Sequence, residues 1–380
     1  MIYIHIPFCR SFCTYCDFYS ETVHGCHDAF AAALVKEIDY RNGQLSDDVD
    51  TLYIGGGTPS VLPLSVFGKI LSALTEAGHG GPYEEFTVEV NPDDIVSKGH
   101  SYVEGLLEMG VNRISMGVQS FDDAILRWMN RRHDSATAVQ AYRILEETGL
   151  ENISIDLIFG LPQLKDSLWR ETMDKALSIS GRGNCPSHVS AYQLSVEPGS
   201  ALADLVGSGR WKEASEEQCG AQYEALCEVL GKAGYRHYEI SNFALPGKEA
   251  VHNSAYWRHV PYVGLGPGAH SFGFFRSSGG WGRQWNAADL EKYLDAGRKG
   301  DFSLVQEGET LDAGQLSMET VMLGMRTAEG LPEPVLREHC SDGAVDRALA
   351  CGDLVRRPDG NLRIPENRFF VSDSVIASLI

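Results

Sequence analysis

Residues 9–16 read Cys9-Arg-Ser-Phe-Cys13-Thr-Tyr-Cys16 and come directly after the run Ile2–Ile6. The run is rich in β-branched residues and predicts a strand, so the spacing C-x3-C-x2-C lies on the loop after a first strand. Thiolates at this spacing on one loop can converge on a single small metal centre. Three thiolates with no local fourth would leave one iron of a [4Fe–4S] cluster open to an outside ligand.

A zinc site, a redox site and a set of unrelated buried cysteines are the alternatives to a cluster. Zinc sites usually combine two C-x2-C units or add a pair of histidines downstream, and the sequence shows no such second pair. The chain has nine cysteines, an odd number, and six of them are dispersed. This usage is unlike a secreted disulfide framework and favours a reducing compartment.

Charge and hydropathy limit which classes of partner and which cellular location we expect. The chain has 380 residues, with 32 Lys and Arg against 52 Asp and Glu, which gives a formal net charge of −20. Such a field repels phosphate backbones and no basic block offsets it, so we expect no nucleic-acid partner. The sequence has no apolar run of about 18 residues and no secretory signal at its start. We expect a cytoplasmic protein with at most peripheral membrane contact.

Strand-like runs alternate with helical patterns over the first two thirds of the chain. This alternation predicts βα units and a parallel sheet. Six units are fewer than a closed eight-fold barrel needs, so the expected fold is α/β with an open, partial (βα)6 barrel. The six strand candidates are Ile2–Ile6, Thr51–Ile54, Phe86–Val90, Arg113–Val118, Ile153–Ile158 and Val189–Leu194.

The last third of the chain shows a different pattern of predicted elements. A seventh strand is expected at Tyr238–Phe243, before a stretch rich in glycine and aromatic residues. Beyond about residue 300, helical patterns precede a hairpin-like Leu354–Ile364 and a final helix, which predicts a small winged-helix-like α+β domain. We therefore expect three parts: a barrel core in residues 1–235, an extension in 236–300 and the C-terminal domain in 301–380.

The cysteine loop resembles the signature of the radical S-adenosylmethionine (SAM) superfamily. Its surroundings, Tyr3-Ile-His-Ile-Pro-Phe-Cys9 and Tyr15-Cys16-Asp17-Phe18, resemble the branch that contains oxygen-independent coproporphyrinogen III dehydrogenase and the HemW-type haem chaperones. The resemblance implies that Cys9, Cys13 and Cys16 hold a [4Fe–4S] cluster, whose fourth iron is chelated by SAM. It also implies a reductant, whose electron would generate a 5′-deoxyadenosyl radical.

A glycine-rich turn, Ile54-Gly-Gly-Gly-Thr-Pro59, stands where the second strand ends. Glycines let the backbone approach a ligand closely, and the resemblance assigns Gly56, Gly57 and Thr58 to the amino group of SAM. Taken singly, other polar residues at strand ends could be ordinary buried groups. Placed in register across successive βα units, they favour a shared ligand. The resemblance assigns SAM contacts to Tyr3, Tyr15, Glu89, Gln119, Arg131 and Asp156.

Two features distinguish the members of this branch. The dehydrogenase has a fourth cysteine two residues after the third, and this chain has Phe18 there. The word His252-Asn-Ser-Ala-Tyr-Trp257 resembles the H-N-x-x-Y-W word of the haem chaperones. The resemblance implies that His252 binds haem iron, with Tyr256 and Trp257 against the porphyrin. A solvated loop histidine is the alternative.

The sequence therefore predicts a haem chaperone that binds a [4Fe–4S] cluster, SAM and haem. No side chain is assigned a catalytic role. The resemblance implies haem-accepting proteins as partners, respiratory enzymes among them. One alternative is oxidative decarboxylation of coproporphyrinogen III by hydrogen abstraction from its propionates. A radical SAM enzyme that modifies RNA is another, and the net charge of −20 disfavours it.

Overall fold

Parallel strands and helices alternate along the first half of the chain, as predicted. The computed structural model describes residues 1–23, 25–45, 49–276 and 279–380. Its strands are β1 (Ile2–Ile6), β2 (Thr51–Gly56), β3 (Glu85–Val90), β4 (Arg113–Gln119), β5 (Ile153–Phe159), β6 (His188–Gln193), β7 (Arg236–Glu239), β8 (Asn242–Ala244), β9 (Val263–Leu265), β10 (His270–Phe275), β11 (Gly280–Asn286), β12 (Gln306–Thr310), β13 (Leu331–Pro332), β14 (Val355–Arg356) and β15 (Asn361–Arg363).

Helices follow most of the barrel strands and cover their outer side. Short 3₁₀ helices lie at Asn42–Gln44, Pro59–Val61, Phe302–Leu304 and Glu366–Val371. The α-helices are α1 (His27–Tyr40), α2 (Leu64–Glu76), α3 (Pro92–Glu108), α4 (Asp123–Trp128), α5 (Ser135–Glu147), α6 (Asp166–Leu177), α7 (Ala201–Gly207), α8 (Glu216–Lys232), α9 (Val251–Trp257), α10 (Leu290–Lys299), α11 (Ala313–Gly324), α12 (Glu333–His339), α13 (Ala344–Cys351) and α14 (Ser372–Leu379). In the ranges that the structure describes, no helix combines the length and the apolar character that crossing a bilayer requires.

The main sheet has the order β7-β8-β6-β5-β4-β3-β2-β1-β9, and its strands from β1 to β6 are parallel neighbours. Successive side chains of a strand point to opposite faces. One set is apolar and buried, with Val88, Ile114 and Ile155 as examples. The alternate set is largely polar and lines the interior of the open barrel, as Glu89 and Asp156 do. This division confirms the expected partial barrel and places polar groups on its concave side.

The expectation of one strand at Tyr238–Phe243 is wrong. The segment folds as a tight hairpin, in which β7 pairs antiparallel with β8 and β8 pairs antiparallel with β6. Further along, β9 adds in parallel to β1, at the other end of the same sheet. Three strands of the expected extension, β7, β8 and β9, thus continue the barrel sheet.

Two small antiparallel sheets complete the chain. The strands β10, β11 and β12 form one of them, so residues beyond 300 pair with the stretch that contains the aromatic residues. The other sheet has the strand order β13-β15-β14 and contains the hairpin expected at Leu354–Ile364. Packed with α12, α13 and α14, this second sheet makes the small α+β end that the sequence predicts.

Candidate functional site

A cavity of about 570 Å³ lies among the cluster loop, the glycine-rich turn and the inward-facing strand residues. Most of the polar residues that the sequence singles out meet there. Tyr3 and His252 are not part of its lining. The predicted residues that line it are Cys9, Cys13, Tyr15, Cys16, Gly56, Gly57, Thr58, Glu89, Gln119, Arg131 and Asp156.

The cysteine loop is fixed to neighbouring loops of the barrel. The backbone N–H of Thr14 donates to the carbonyl of Met129 at 3.1 Å, and the carbonyl of Thr14 accepts from the N–H of Leu202 at 2.8 Å. The guanidinium of Arg10 lies 3.2 Å from the buried carboxylate of Asp94. These contacts join the loop to three other segments, so the positions of the thiols are set by the barrel.

Burial disfavours the thiolate form of two of the three cysteines on the loop. Burial raises the pKa of Cys9, and it raises the pKa of Cys16 to about 12, with the neighbouring Cys13 and Cys9 sulfurs adding to the effect. Iron would stabilise the thiolates that burial and mutual repulsion disfavour. In the part of the chain that the structure covers, no three His, Cys, Asp or Glu side chains surround one point as a single metal ion requires. A cubane does not need this arrangement, because each of the three thiolates would bind a different iron.

Arg131 connects the cluster loop to the barrel interior. Its Nη1 donates to Sγ of Cys13 at 3.4 Å, and its Nη2 donates to Oδ1 of Asn91 at 2.7 Å and to the carbonyl of Gly117 at 2.6 Å. Its Nε is buried and has no hydrogen-bond partner among the described residues. A guanidinium with an unused donor at the cavity suits an anionic group such as the carboxylate of SAM.

The glycine-rich turn brings backbone against the cluster loop. Gly56 has φ +106°, a conformation that favours glycine, and a Cβ on Gly57 would lie 2.8 Å from the carbonyl oxygen of Phe8. The hydroxyl of Thr58 lies 3.4 Å from Sγ of Cys9. The positive φ and the close packing thus require both glycines, and the turn lines the cavity.

Two inward-facing carboxyl groups of the barrel strands line the cavity. Oε1 of Glu89 accepts from the hydroxyl of Tyr53 at 2.6 Å, and Oε2 accepts from the N–H of Gly56 at 3.1 Å. Burial raises the pKa of Glu89 to about 7, although these two donors oppose the shift. Asp156 accepts from the hydroxyl of Ser115 at 3.1 and 3.2 Å, and burial raises its pKa too. Carboxyl groups held in this way can accept hydrogen bonds from ribose hydroxyls.

Three more predicted SAM residues differ in their placement. Gln119 lines the cavity with φ +68°, at a bulge between β4 and β5, which is a strained conformation of a kind that clusters at functional sites. Tyr15 lines the cavity beside the cluster cysteines, and burial raises its pKa. Tyr3 packs against Tyr53, and its hydroxyl lies 3.0 Å from Nδ1 of His5. Any effect of Tyr3 on a ligand in the described conformation passes through these neighbours.

His252 lies inside the barrel and is 0 % exposed. Its Nδ1 is 2.8 Å from the hydroxyl of Thr51, and its Nε2 is 2.9 Å from the hydroxyl of Tyr256. Its ring packs against Tyr53 at 5.1 Å, and burial lowers its pKa to about 3. Because both ring nitrogens are engaged, binding of haem iron by His252 requires the ring to leave these contacts. The role of His252 as a ligand stays a prediction.

The structure also shows residues that the sequence argument missed. Asn253, the second residue of the H-N-x-x-Y-W word, lines the cavity. Asn91 supports Arg131, and Tyr53 supports Glu89. The sequence could have identified Tyr53 as a residue of the barrel interior. Side chains alternate between the two faces along β2, so Tyr53 lies on the same face of the sheet as alternate residues of the glycine-rich turn. Nothing local in the sequence indicates that Asn253 faces the SAM candidates.

Known proteins resemble this chain in sequence and in fold. The Radical SAM superfamily matches residues 3–176. The heme chaperone HemW of Synechocystis sp. is 34% identical over 87% of this chain and 78% of that protein, and the one of Bacillus subtilis (strain 168) is 34% identical over 87% and 84%. The structure described as "Coproporphyrinogen III oxidase (HemN) from Escherichia coli is a Radical SAM enzyme" superposes with a TM-score of 0.79 at 22% identity, over 99% of this chain and 89% of that one, which shows the shared fold. The chain belongs to the radical SAM superfamily and, within it, to the family of the HemW heme chaperones.

Proposed function

We propose that this protein is a haem chaperone that binds a [4Fe–4S] cluster, SAM and haem, and that it delivers haem to haem-dependent proteins. One observation carries the proposal: Asn253 of the H-N-x-x-Y-W word lines the same cavity as the cluster cysteines and the SAM candidates. The relatives named as heme chaperones support it, because they are similar over most of their length.

The residues present fit both cofactors. Cys9, Cys13 and Cys16 would hold three irons, and SAM would close the fourth. When bound, the cluster and SAM supply one-electron chemistry at the sulfonium. The chain itself provides the orientation: Arg131 for the SAM carboxylate and Glu89 for ribose hydroxyls. A polar interior and a fixed cysteine loop keep these groups in place without a ligand.

Phe18 favours a chaperone over the decarboxylating enzyme of the same branch. Its ring is 67% exposed at the mouth of the cavity, where the resemblance places a cysteine in the dehydrogenase. A phenyl ring neither binds iron nor transfers hydrogen. We assign no catalytic residue in this chain.

Haem binding at His252 would require a change in the position of α9. The ring has two hydrogen bonds, and the backbone N–H groups of Val251 and His252 donate to the carboxylate of Glu85 at 2.7 and 3.2 Å. Each such bond contributes about 1 kcal/mol net, so an open form lies a few kcal/mol above the closed one. Haem that binds the open form would recover that difference.

The finer parts of the proposal concern partners, place and organisation. We propose respiratory enzymes as haem recipients, a one-electron reductant for the cluster, and a cytoplasmic location with at most peripheral membrane contact. Nucleic acid is not among the proposed partners, in keeping with the net charge of −20. We also propose that residues 1–235 hold the cluster and SAM, that 236–300 carry the haem word and that 301–380 form an accessory domain.

Anaerobic reconstitution followed by paired assays tests this function. The iron–sulfur protein should bind ferric haem with a Soret band, should pass it to an apo form of a respiratory haem protein, and should not convert coproporphyrinogen III. Formation of protoporphyrinogen at enzymatic turnover would contradict the chaperone assignment. Cys13→Ser, which removes a cluster ligand, is the matched control for effects that depend on the cluster.

A further inference from the structure

The three-stranded sheet of β10, β11 and β12 has one buried face and one outward face. Ser271 and Asn286 belong to the buried face. Phe274 and Trp281 on the other face are 57% and 38% exposed, and their rings meet edge to face at 6.4 Å. By strand register, His270, Phe272, Phe274, Trp281, Arg283 and Trp285 lie on this face, where Phe272 is buried beneath its neighbours.

His270 is the histidine of this face whose ring nitrogens have no partner among the described residues. Its ring is exposed, stacks on Trp285 at 5.7 Å with an interplanar angle of 22°, and makes no hydrogen bond to the part of the chain that the structure covers. The other histidines of residues 236–300 are engaged. His252 binds two hydroxyls, His259 lies 3.0 Å from a carboxylate oxygen of Glu319, and His237 is buried against a backbone carbonyl.

A free imidazole nitrogen is what haem iron requires of a histidine ligand. Partial burial and the charge of Arg283 lower the pKa of His270, so the ring is neutral near pH 7 and keeps its lone pair. Indole and phenyl rings on the same face supply flat apolar surface for a macrocycle. Arg283 pairs through Nη1 with Glu319 at 2.6 Å and with Glu309 at 3.8 Å, and it is a cation of this face that could attract a propionate.

We propose that this outward face, the His270–Trp285 face, binds haem, with His270 as an axial ligand of the iron and Trp285 beside the macrocycle. The inference rests on the proposed function and names a site for its cargo: an iron tetrapyrrole with carboxylate side chains. Coordination forms an Fe–N bond from the lone pair of His270, with no change of oxidation state, and releases any water bound there.

The face is continuous with the H-N-x-x-Y-W word. Phe272 of β10 exchanges backbone hydrogen bonds with Tyr262 at 2.9 and 3.0 Å, and the ring of Tyr262 packs on that of Tyr256 at 4.6 Å. The hydroxyl of Tyr256 lies 2.9 Å from Nε2 of His252. Haem on the exposed face would therefore lie next to the segment that covers the buried histidine.

Titration of ferric haem into the full-length, cluster-reconstituted protein tests the inference. His270→Ala should weaken haem binding at least about tenfold and should change the electron paramagnetic resonance signature of the iron. His100→Ala is the matched control, because His100 is another surface histidine, paired with Glu147 at 2.7 Å and outside this face. That variant should bind haem as the wild type does. The iron–sulfur absorption of each variant reports whether the fold is intact.

The outcomes separate this inference from the proposed function. If the wild type binds haem and His270→Ala binds it with the same affinity and signature, the assignment of the face is overturned and the chaperone function stands. The same holds if only His252→Ala loses the haem while keeping its cluster. If the wild type binds no haem, the proposed function fails, and this inference fails with it.

Discussion

Glu89→Gln is a direct test of the electrostatics of the barrel interior. Burial raises the pKa of Glu89 to about 7 from the ordinary 4.5, although Tyr53 and Gly56 both donate to its carboxylate. An acid whose pKa is higher in the folded state keeps its proton longer there than in the unfolded chain. Between pH 4.5 and 7 the folded protein therefore binds more protons, and its free energy of unfolding falls as the pH rises.

The size of the effect follows from the two pKa values. The difference between the ordinary pKa of 4.5 and the folded-state pKa of about 7 corresponds to about 3 kcal/mol of unfolding free energy. This stabilisation is present at low pH, and all of it is lost by about pH 8. Gln has nearly the same shape and does not titrate. The difference in unfolding free energy between Glu89→Gln and the wild type should therefore shift by about 3 kcal/mol, in favour of the variant, from about pH 4 to about pH 8.

Urea unfolding of the cluster-free protein at a series of pH values, followed by circular dichroism and tryptophan fluorescence, measures this difference. Glu76→Gln is the matched control: Glu76 is an exposed residue at the end of α2, so its replacement should leave the pH profile of the wild type unchanged. If the curves of Glu89→Gln and the wild type run parallel over that pH range, burial does not raise the pKa of Glu89.

Three further substitutions probe the cluster and SAM sites. Cys13→Ser should lose the iron–sulfur absorption and most bound iron and sulfide, whereas Cys26→Ser should keep them; an intact chromophore in the Cys13 variant would contradict the ligand set. Arg131→Lys keeps the charge but loses the planar guanidinium, so we expect SAM to bind about tenfold more weakly by calorimetry, and unchanged affinity would contradict a role of the guanidinium in holding SAM. Gly57→Ala places a methyl group 2.8 Å from the carbonyl of Phe8 and should cost about 1–3 kcal/mol in thermal or urea unfolding; a neutral result would show that the turn can relax.

The barrel is predictable because its signals are local. The sequence predicts β1 with its observed bounds, and the runs predicted from Thr51 and from Arg113 fall inside β2 and β4. Apolar residues recur at every second position of these strands, and β1 and β2 end at a proline and a glycine turn; both features come from neighbours in the chain. The same parity explains why Glu89 and Asp156 face one cavity. A chain of βα units places its strand ends on one edge, so residues at those ends meet.

The last third of the chain is harder to predict because its contacts are non-local. β12 pairs with β11 although nineteen residues, helix α10 among them, separate the two strands, and no local pattern indicates that pairing. The run expected as one strand at Tyr238–Phe243 breaks into a hairpin, where β8 pairs with β6 instead of continuing β7. A motif alone likewise does not predict how deeply its residues are buried. The H-N-x-x-Y-W word indicates a haem-linked family, but not that the ring of His252 is enclosed.

The enclosure of His252 has a physical origin in β3. Glu85 and Glu89 are four residues apart on this strand, so the period of two puts both carboxyl groups on the inner face of the sheet. Glu85 accepts from the N–H groups at the start of α9, where a carboxylate suits the positive end of a helix, and Glu89 accepts from Tyr53 at the cavity. The ring of Tyr53 also packs on His252. Strand β3 and Tyr53 therefore connect the proposed SAM-binding side of the cavity with the H-N-x-x-Y-W word. The proposed SAM and haem sites are therefore not separable modules, and a substitution that displaces β3 should disturb both of them.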